Sequence, residues 1–423
     1  METLKINRLP PDKAYESLGL TRNPFPSDGT PLDPPRIVVY PDEQLKQELE
    51  NFLSSLLHRD SGAKGRVLIG NYGSGKTYYL KNLQYFLGKE FPEVATFYVE
   101  HPGYGFHDFC GSVVGAIGLA NITKKVWSII KEELLKKLEK GNTDWYFNLF
   151  PSSQDKLSMF PKMEYSQILS DYRNFLDQAK KRKADPVAIL SVFSKTLEEA
   201  LGQSEGAMHK LSRLLIDSHY GSYFDWQDIS TSKQKEIGDY EFLATIFLLL
   251  AKTDKFKSIL ILVDEFEEVT ASERFSSKEA TNYEYTIRRL LDLISRRVNE
   301  VSLGMIVAMT PAAWNLTNQY CKPLASRLLR PIWIKPLSEE HALKIIKTYL
   351  NDARKTADDS TTPLPQGFLT LLPEFVKDNP RNLLNYCHEV IEAAANNQAT
   401  VVSDSLVKQY VDRWKAEFAT EEK

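Results

Sequence analysis

The chain has 423 residues, of which 42% are hydrophobic, so it is long enough for two or three packed domains with a sizeable core. Its formal net charge of -3 gives no overall basic excess, so any nucleic-acid binding would need a local patch. Cys110, Cys321 and Cys387 have neither metal-ligand nor disulfide-framework spacing, which favours a reducing, cytoplasmic setting. No apolar signal core follows Met1, and the longest apolar stretch, 242–251, is too short to span a bilayer, so we expect no membrane anchor.

The first forty residues are rich in proline and polar side chains, which predicts an extended arm without helix over 1–40. Asn23–Pro26 and Pro31–Pro35 contain most of these prolines. An arm of this kind is expected to wrap a neighbouring domain. A helical pattern begins at Asp42 and continues with leucines at helical spacing as far as Leu56.

A glycine-rich segment, GNYGSGKT, directly follows the apolar run Val67–Ile69 and forms a complete Walker A pattern. Backbone N–H groups of such a turn curl around phosphates, and the helix that follows points its positive end at them. The lysine then reaches the β and γ phosphates, and the threonine hydroxyl binds Mg²⁺. We therefore expect an ATP site, with Thr77 also a metal ligand. The predicted nucleotide-binding residues are Gly70, Asn71, Tyr72, Gly73, Ser74, Gly75, Lys76 and Thr77.

A second apolar run, 259–263, is followed by Asp264 and Glu265 and forms a Walker B pattern, typical of a central parallel strand that helices cover on both faces. A carboxylate at the end of such a strand lies where the Mg²⁺ of a bound nucleotide would be, so Asp264 is predicted to be a metal ligand. Glu265 is placed to polarise the attacking water as a general base. We expect Glu267 and Glu268 to be surface charges.

Five segments have strand patterns, and the helical patterns between them favour a parallel α/β sheet. They are the run ending at Ile69, Val94–Val99, Ser258–Val263, Gly304–Met309 and Ile332–Ile334. The interval between the second and third strands is far longer than a crossover helix needs, which predicts a helical insertion over about 101–257. Its helices are expected at Val126–Leu138, Tyr165–Lys180, Val187–Leu201 and Met208–Ile216.

The pattern after Lys335 is entirely helical, so we divide the rest of the chain into a core, 41–336, and an all-α lid, 337–423. Ser338 is the predicted N-cap of the first lid helix. The lid helices are expected at Ala342–Leu350, Phe368–Val376, Leu383–Asn396 and Ser403–Trp414.

Two Walker patterns followed by a helical lid resemble the AAA+ ATPases, with a parallel-sheet P-loop core. The lid sequence NPRNLL, Asn379–Leu384, is similar to the sensor 2 motif of the origin-recognition initiators and of the related transposition-regulator and secretion-type ATPases. The sequence LGLTRNPF, Leu18–Phe25, is similar to the N-terminal arm of the same branch. The resemblance implies that Arg381 contacts the γ-phosphate from the lid. A local surface contact for this arginine remains the alternative.

Three further assignments rest on the same resemblance. The sequence ASRL, which contains Arg327, is similar to the segment that carries the arginine finger of a neighbouring subunit's site, and Arg330 is the reserve. Thr310, at the end of the fourth predicted strand, takes the sensor 1 position, where the initiators more often have asparagine. Val39–Glu43 aligns with the adenine-contacting turn, which assigns Pro41 to the base.

Initiators of this family carry a winged-helix DNA-binding domain after the lid, whereas this chain ends at Lys423, so we do not carry DNA binding over. Two basic segments, 180–183 and the lysine-rich helix over 124–137, leave direct DNA contact open. The sequence favours an ATP- and Mg²⁺-dependent homo-oligomeric ATPase that remodels or regulates a DNA-associated or multiprotein complex in replication, defence or mobile-element movement. The alternative is a nucleotide-gated switch or adaptor that holds a protein partner through its insertion, with slow hydrolysis and no DNA binding.

Overall fold

The structure is a computed structural model of the chain. It describes residues 14–28, 43–57, 64–150, 167–202, 205–217, 235–270, 277–295, 301–328 and 330–421. Within these ranges a parallel sheet is covered by helices and followed by a helical lid. The predicted α/β fold class is therefore confirmed.

Five parallel strands form one sheet in the order β2-β3-β4-β1-β5. The strands are β1 Lys64–Ile69, β2 Val94–Val99, β3 Ser258–Val263, β4 Ser302–Met309 and β5 Ile332–Trp333. Each of them overlaps a predicted strand. The largest difference is at β1, which begins three residues before the predicted apolar run.

The apolar run of β3 supplies both faces of the sheet. Ile259, Ile261 and Val263 pack into a core that also contains the helices of the insertion, whereas Leu260 and Leu262 pack into a second core. Successive side chains of a strand point to opposite faces, so a strand buried on both sides has no polar position. Helices therefore cover both faces of the sheet.

Helices α1 to α9 precede β3. They are α1 Glu43–Leu57, α2 Lys76–Glu90, α3 Phe106–Ile117, α4 Leu119–Glu139, α5 Asp144–Leu149, α6 Tyr172–Lys181, α7 Pro186–Leu201, α8 Glu205–Asp217 and α9 Lys235–Asp254. The predicted helix Tyr165–Lys180 is interrupted: residues 167 and 168 are helical, and after a break at 169–171 α6 begins at Tyr172, capped by the Asp171 side chain, which accepts a hydrogen bond from Asn174 N. Residues 165 and 166 lie outside the described ranges.

The insertion and the sheet share one core. Trp127 of α4 lies against Phe175 of α6 and Phe193 of α7, with ring centroids 5.4 and 6.1 Å away, and all three belong to the core that contains Ile261 of β3. Aromatic side chains of this size bury a large area each. The helical insertion is therefore packed into the body of the protein and is not a separate appended unit.

Within the described ranges, eight helices follow β3. They are α10 Glu267–Thr270, α11 Ser277–Ser295, α12 Pro311–Tyr320, α13 Lys322–Ala325, α14 Glu339–Ala353, α15 Glu374–Lys377, α16 Pro380–Asn396 and α17 Asp404–Glu421. Ser338 caps α14 as predicted, since its side chain accepts from His341 N. The single predicted helix Phe368–Val376 is wrong. A 3-10 turn ends at Leu371, and Leu372 is extended because it precedes Pro373.

The described part of the N-terminal arm packs on the lid. Leu18, Leu20 and Phe25 lie in the lid core, and Thr21 N donates to the carbonyl oxygen of Ala353 at 2.8 Å. Contrary to the expectation of an arm without helix, Glu16–Leu18 forms a 3-10 turn, which closes with Gly19 in the left-handed region. Leu18, Leu20 and Phe25 of the arm are thus part of the lid's core.

Of the described helices, none by itself is long and apolar enough to cross a membrane. Helices α3 and α4 would meet the length and composition only as a pair, and they are bent by 78° relative to each other. The bend falls at Gly118, which adopts a φ of 86°.

Candidate functional site

The strand order creates a crevice at the carboxyl end of β1. From β1 the chain crosses β4 and β3 to reach β2, whereas from β4 it crosses β1 in the opposite direction to reach β5. In parallel α/β sheets ligands bind at such a reversal, outside the carboxyl ends of the strands. Gly70 follows β1, Thr310 follows β4 and Asp264 follows β3, so three predicted site segments lie side by side.

The phosphate loop has the backbone that its glycines allow. Gly73 and Gly75 adopt φ values of 75° and 95°, in the region that disfavours side chains. Gly70 N donates to the carbonyl oxygen of Met309, which ties the loop to β4, and Ser74 N donates to Asn71 O. Helix α2 begins at Lys76 without a side-chain cap or an acidic residue in its first turn, so its N–H groups are oriented to receive an anion.

Lys76 lies inside its own loop. Its side chain is 8% exposed, and Nζ donates to the carbonyl oxygen of Gly70 at 3.0 Å. The carbonyl oxygen of Asn71 is 3.4 Å from the same ammonium, and the Tyr72 ring centroid is 5.4 Å away. These groups solvate the charge where phosphate oxygens are expected to bind.

We expected Glu267 and Glu268 to be surface charges, and for Glu267 this was wrong. It is buried, and its Oε1 lies 3.6 Å from Lys76 Nζ, whereas Glu268 is only half-buried. Burial raises the pKa of Glu267, and Lys76 opposes that shift. In the sequence, Glu267 stands two residues after Glu265, and nothing in the local pattern indicates that it is buried. The short helix α10 turns Glu267 back toward the phosphate loop.

Asp264 is a buried carboxylate with both oxygens engaged. Oδ2 accepts from the Tyr98 hydroxyl at 2.9 Å, and Oδ1 accepts from Glu265 N at 3.0 Å. Burial and the neighbouring Asp264 charge raise the pKa of Tyr98 well above its usual value, so it stays a donor. Asp264 and Thr77 line the same cavity, an oxygen set that fits a Mg²⁺ ion held partly through water.

Glu265 is held by a residue that sequence reasoning missed. His101, two residues after β2, places Nδ1 2.9 Å from Glu265 Oε2, and the Glu265 side chain is 47% exposed. Glu265 adopts a φ of 50°, an uncommon backbone for a residue with a side chain and one that clusters at functional sites. Burial raises the pKa of Glu265, and His101 opposes the shift. A histidine after an apolar strand was the available signal.

The lid completes a cavity of about 270 Å³ over the phosphate loop. Ile345 and Tyr349 of α14 and Leu384 of α16 form an apolar wall, while Arg381 lines the cavity beside Gly73. Sequence reasoning assigned the base contact to Pro41, which lies outside the described residues. The apolar lid wall offers a surface of the kind that a planar base packs against.

Asn379 joins the lid directly to the phosphate loop. Its Nδ2 donates to the carbonyl oxygen of Tyr72 at 2.8 Å, while Oδ1 accepts from Arg381 N and caps α16. Arg381 N also points at the Gly73 carbonyl oxygen, 3.3 Å away. A Cβ on Gly73 would lie 2.5 Å from Asn379 Oδ1, so only glycine allows this approach.

Asn379→Ala and Asn379→Asp are expected to separate these two contacts. Asp keeps the cap oxygen but loses the donor to Tyr72, so it should retain the melting temperature and weaken ATP binding several-fold. Ala loses both contacts and should also lower stability by about 1 kcal/mol, the usual cost of a lost cap. Thermal unfolding and ATP titration of both variants test this. Equal ATP affinity in wild type and Asn379→Asp would contradict the role of the Tyr72 contact.

Thr310 and Arg327 are not among the residues that line the cavity. Thr310 is buried, and its hydroxyl oxygen accepts from Ala313 N at 3.3 Å to cap α12. Arg327 packs at the amino end of β1, where a Cβ on Gly65 would lie 2.7 Å from the Arg327 carbonyl oxygen. From Gly65 to Gly70 the strand covers about 16 Å at its usual rise, so Arg327 cannot reach its own phosphate loop.

The lysines of the predicted basic helix are mostly paired within the chain, whereas in the segment 180–183 Arg182 contacts aromatic side chains. On α4, Lys125, Lys136 and Lys137 form ion pairs with carboxylates, and Lys131 Nζ donates to Ser170 O at 3.0 Å. Arg182 lies over the rings of two aromatic residues of the insertion. Lysines that are already paired contribute less to phosphate binding.

Neither the protein-family models nor the curated proteins include a match to this chain. Among solved structures, the Aeropyrum pernix ORC2 protein in ADPNP-ADP complexes is 12% identical with a TM-score of 0.46, over 90% of this chain and 69% of that chain. Its ADP form gives 12% identity and a TM-score of 0.45, over 89% and 70%. A likeness this weak assigns neither a family nor a function.

Proposed function

We propose that this chain is an ATPase of the AAA+ type, close to the origin-recognition initiators, that binds ATP with Mg²⁺ and hydrolyses it. The observation that carries the proposal is the single cavity lined by Lys76 of the phosphate loop, Asp264 at the end of β3 and Arg381 of the lid. Enzymes that transfer phosphoryl groups use such a set: a lysine on the phosphates, a carboxylate that binds the metal, and an arginine from a second domain. The apolar lid wall next to them suits the base.

The chain's own residues divide the chemistry. Lys76 and the N–H groups at the start of α2 bind the phosphates, and Thr77 and Asp264 hold the metal, which neutralises charge on them. Glu265 orients the attacking water and accepts its proton. Arg381 contacts the γ-phosphate and so couples the nucleotide state to the position of the lid. It can do so because it lies on the lid helix that Asn379 caps and joins to the phosphate loop.

Hydrolysis in this proposal depends on assembly into homo-oligomers. Arg327 lies at the far end of β1 from the phosphate loop, so as a finger it could act only in a neighbouring subunit. Its Nε is held 2.7 Å from Asp292 Oδ1, with the side chain 45% exposed. Assembly and release would then remodel or regulate a DNA-associated or multiprotein complex.

The experiment that tests nucleotide binding compares the wild type with Lys76→Ala. We expect micromolar ATP binding in the wild type and at least a hundredfold loss in the variant, because the buried ammonium is the main charge facing the phosphates. Titration with a fluorescent ATP analogue in the presence of Mg²⁺ measures both. Equal affinity in the two proteins would overturn the proposed site.

Two parts of the proposal remain, the dependence on assembly and the link to DNA. They are tested by measuring wild-type turnover across a protein concentration series, with and without double-stranded DNA. A rate per subunit that rises with concentration supports the assembling ATPase, and a further rise with DNA supports the DNA-linked version. The switch or adaptor is favoured by one observation, the His101 contact that occupies Glu265. A slow rate that is independent of concentration and DNA would support it.

A further inference from the structure

Glu267 is the buried charge that the proposed mechanism leaves without a role. It begins α10, two residues after the predicted catalytic base Glu265, and only 7% of the residue is exposed. A carboxylate in such a place is costly unless it is paired. The described cation within ion-pair distance of it is Lys76, with Oε1 3.6 Å from Nζ.

The pairing is incomplete on the carboxylate side. Glu267 Oε2 is buried and has no hydrogen-bond partner among the described residues, so the group is held by the long ionic contact with Lys76 and by its own backbone amide. The carboxylate also lines the cavity together with Asp264 and Glu265. A buried oxygen that faces a cavity without a partner is expected to be tolerated for a functional reason.

We propose that Glu267 is the counter-ion of Lys76 in the nucleotide-free protein, that phosphates displace it from the lysine, and that it thereby sets nucleotide affinity. This rests on the proposed function, since it assumes that ATP binds at Lys76. Glu267 stabilises the empty site by neutralising a buried ammonium. Bound phosphates then supply the negative charge instead, and Glu267 opposes them because like charges repel at short range.

The proposal predicts two opposite effects of removing the Glu267 charge, which a purely structural role would not produce together. Removing the Glu267 charge should destabilise the empty protein, because Lys76 then lacks a charge partner in a buried place. The same change should strengthen nucleotide binding, because phosphates no longer compete with a resident carboxylate. If the side chain only maintained the shape of the loop, its replacement would lower both the stability of the empty protein and its affinity for nucleotide.

The test uses Glu267→Gln, which keeps the size of the side chain, and Glu268→Gln as the matched control. We expect ATP and ADP to bind Glu267→Gln about tenfold more tightly than wild type, the equivalent of a modest charge interaction. Its melting temperature without nucleotide should fall. Glu268→Gln removes a half-exposed carboxylate that lines the same cavity but pairs with His101 and not with Lys76, so it should keep the wild-type melting temperature and change ATP affinity much less than Glu267→Gln does.

Unchanged or weaker binding by Glu267→Gln, while wild-type protein binds ATP, would overturn this inference and leave the proposed function standing. Weaker binding only in the presence of Mg²⁺ would identify Glu267 as a metal ligand instead. A wild type that binds no ATP would overturn the proposed function itself. If Glu267→Gln does not fold, Glu267→Asp takes its place, with tighter ATP binding expected from its shorter reach and unchanged binding contradicting the inference.

Discussion

Glu265→Gln is expected to bind ATP as wild type does and to hydrolyse it about 10² to 10⁴ times more slowly, the usual contribution of a general base. The glutamine amide keeps the size of the side chain but cannot accept a proton from water. Glu265 lies two residues after β3, lines the cavity and has an uncommon backbone conformation, all of which position its carboxylate. Phosphate release at saturating ATP, together with ATP titration, measures the two quantities separately.

The control for Glu265→Gln is the neighbouring Glu268→Gln, which removes a carboxylate that also approaches His101, at 3.9 Å. Its turnover should equal that of wild type. If Glu265→Gln retains more than a tenth of the wild-type rate, another group accepts the proton, and His101 would be the first to test because it contacts Glu265. If ATP affinity falls as well, Glu265 contributes to binding in the ground state.

Arg327→Ala is expected to lower the turnover of the assembled protein by about a thousandfold or more, the range measured for arginine fingers, with little change in ATP affinity. Arg327 packs against the amino end of β1, so it cannot contact the phosphates of its own subunit. Asp292 holds the guanidinium from one side, and Arg288 Nε contacts the other oxygen of the same carboxylate at 3.2 Å. The finger would therefore be positioned before assembly.

A mixing experiment makes the trans role of Arg327 testable. Neither Arg327→Ala nor Glu265→Gln should turn over ATP alone, whereas a mixture should recover part of the activity, because an intact finger can then meet an intact base. Arg330→Ala is the matched control, since Arg330 is exposed and lies three residues further on. A monomeric Arg327→Ala protein with wild-type turnover would contradict the assignment. Loss of activity in Arg330→Ala alone would move the finger to Arg330.

Local residue chemistry was enough to predict the sheet and the phosphate loop. The apolar run of β3 has no polar position because both of its faces are covered, and this pattern is visible in sequence. The loop requires glycines at positions with positive φ, and Gly73 and Gly75 supply them. The prediction of one helix over Phe368–Val376 was wrong. Its apolar residues have helical spacing, but Pro373 interrupts the helix.

What lies around the site was decided by the tertiary structure. Glu267 and Glu268 are adjacent and identical in chemistry, and only the turn of α10 buries the first beside Lys76 and leaves the second half-exposed. The contacts of His101 with Glu265 and of Asn379 with Tyr72 could not be predicted, because each joins residues far apart in the chain. Such contacts depend on how distant elements pack.

The sequence by itself thus determined the elements and groups whose requirements are local: the parallel strands, the glycine turns, and the lysine and acids at strand ends. The tertiary structure alone decided which charges pair, which face of the lid closes the cavity, and that Arg327 lies at the far end of β1 from its own phosphate loop. The physical reason is that backbone conformation follows from neighbouring residues, whereas burial and pairing of side chains depend on segments far apart in the chain.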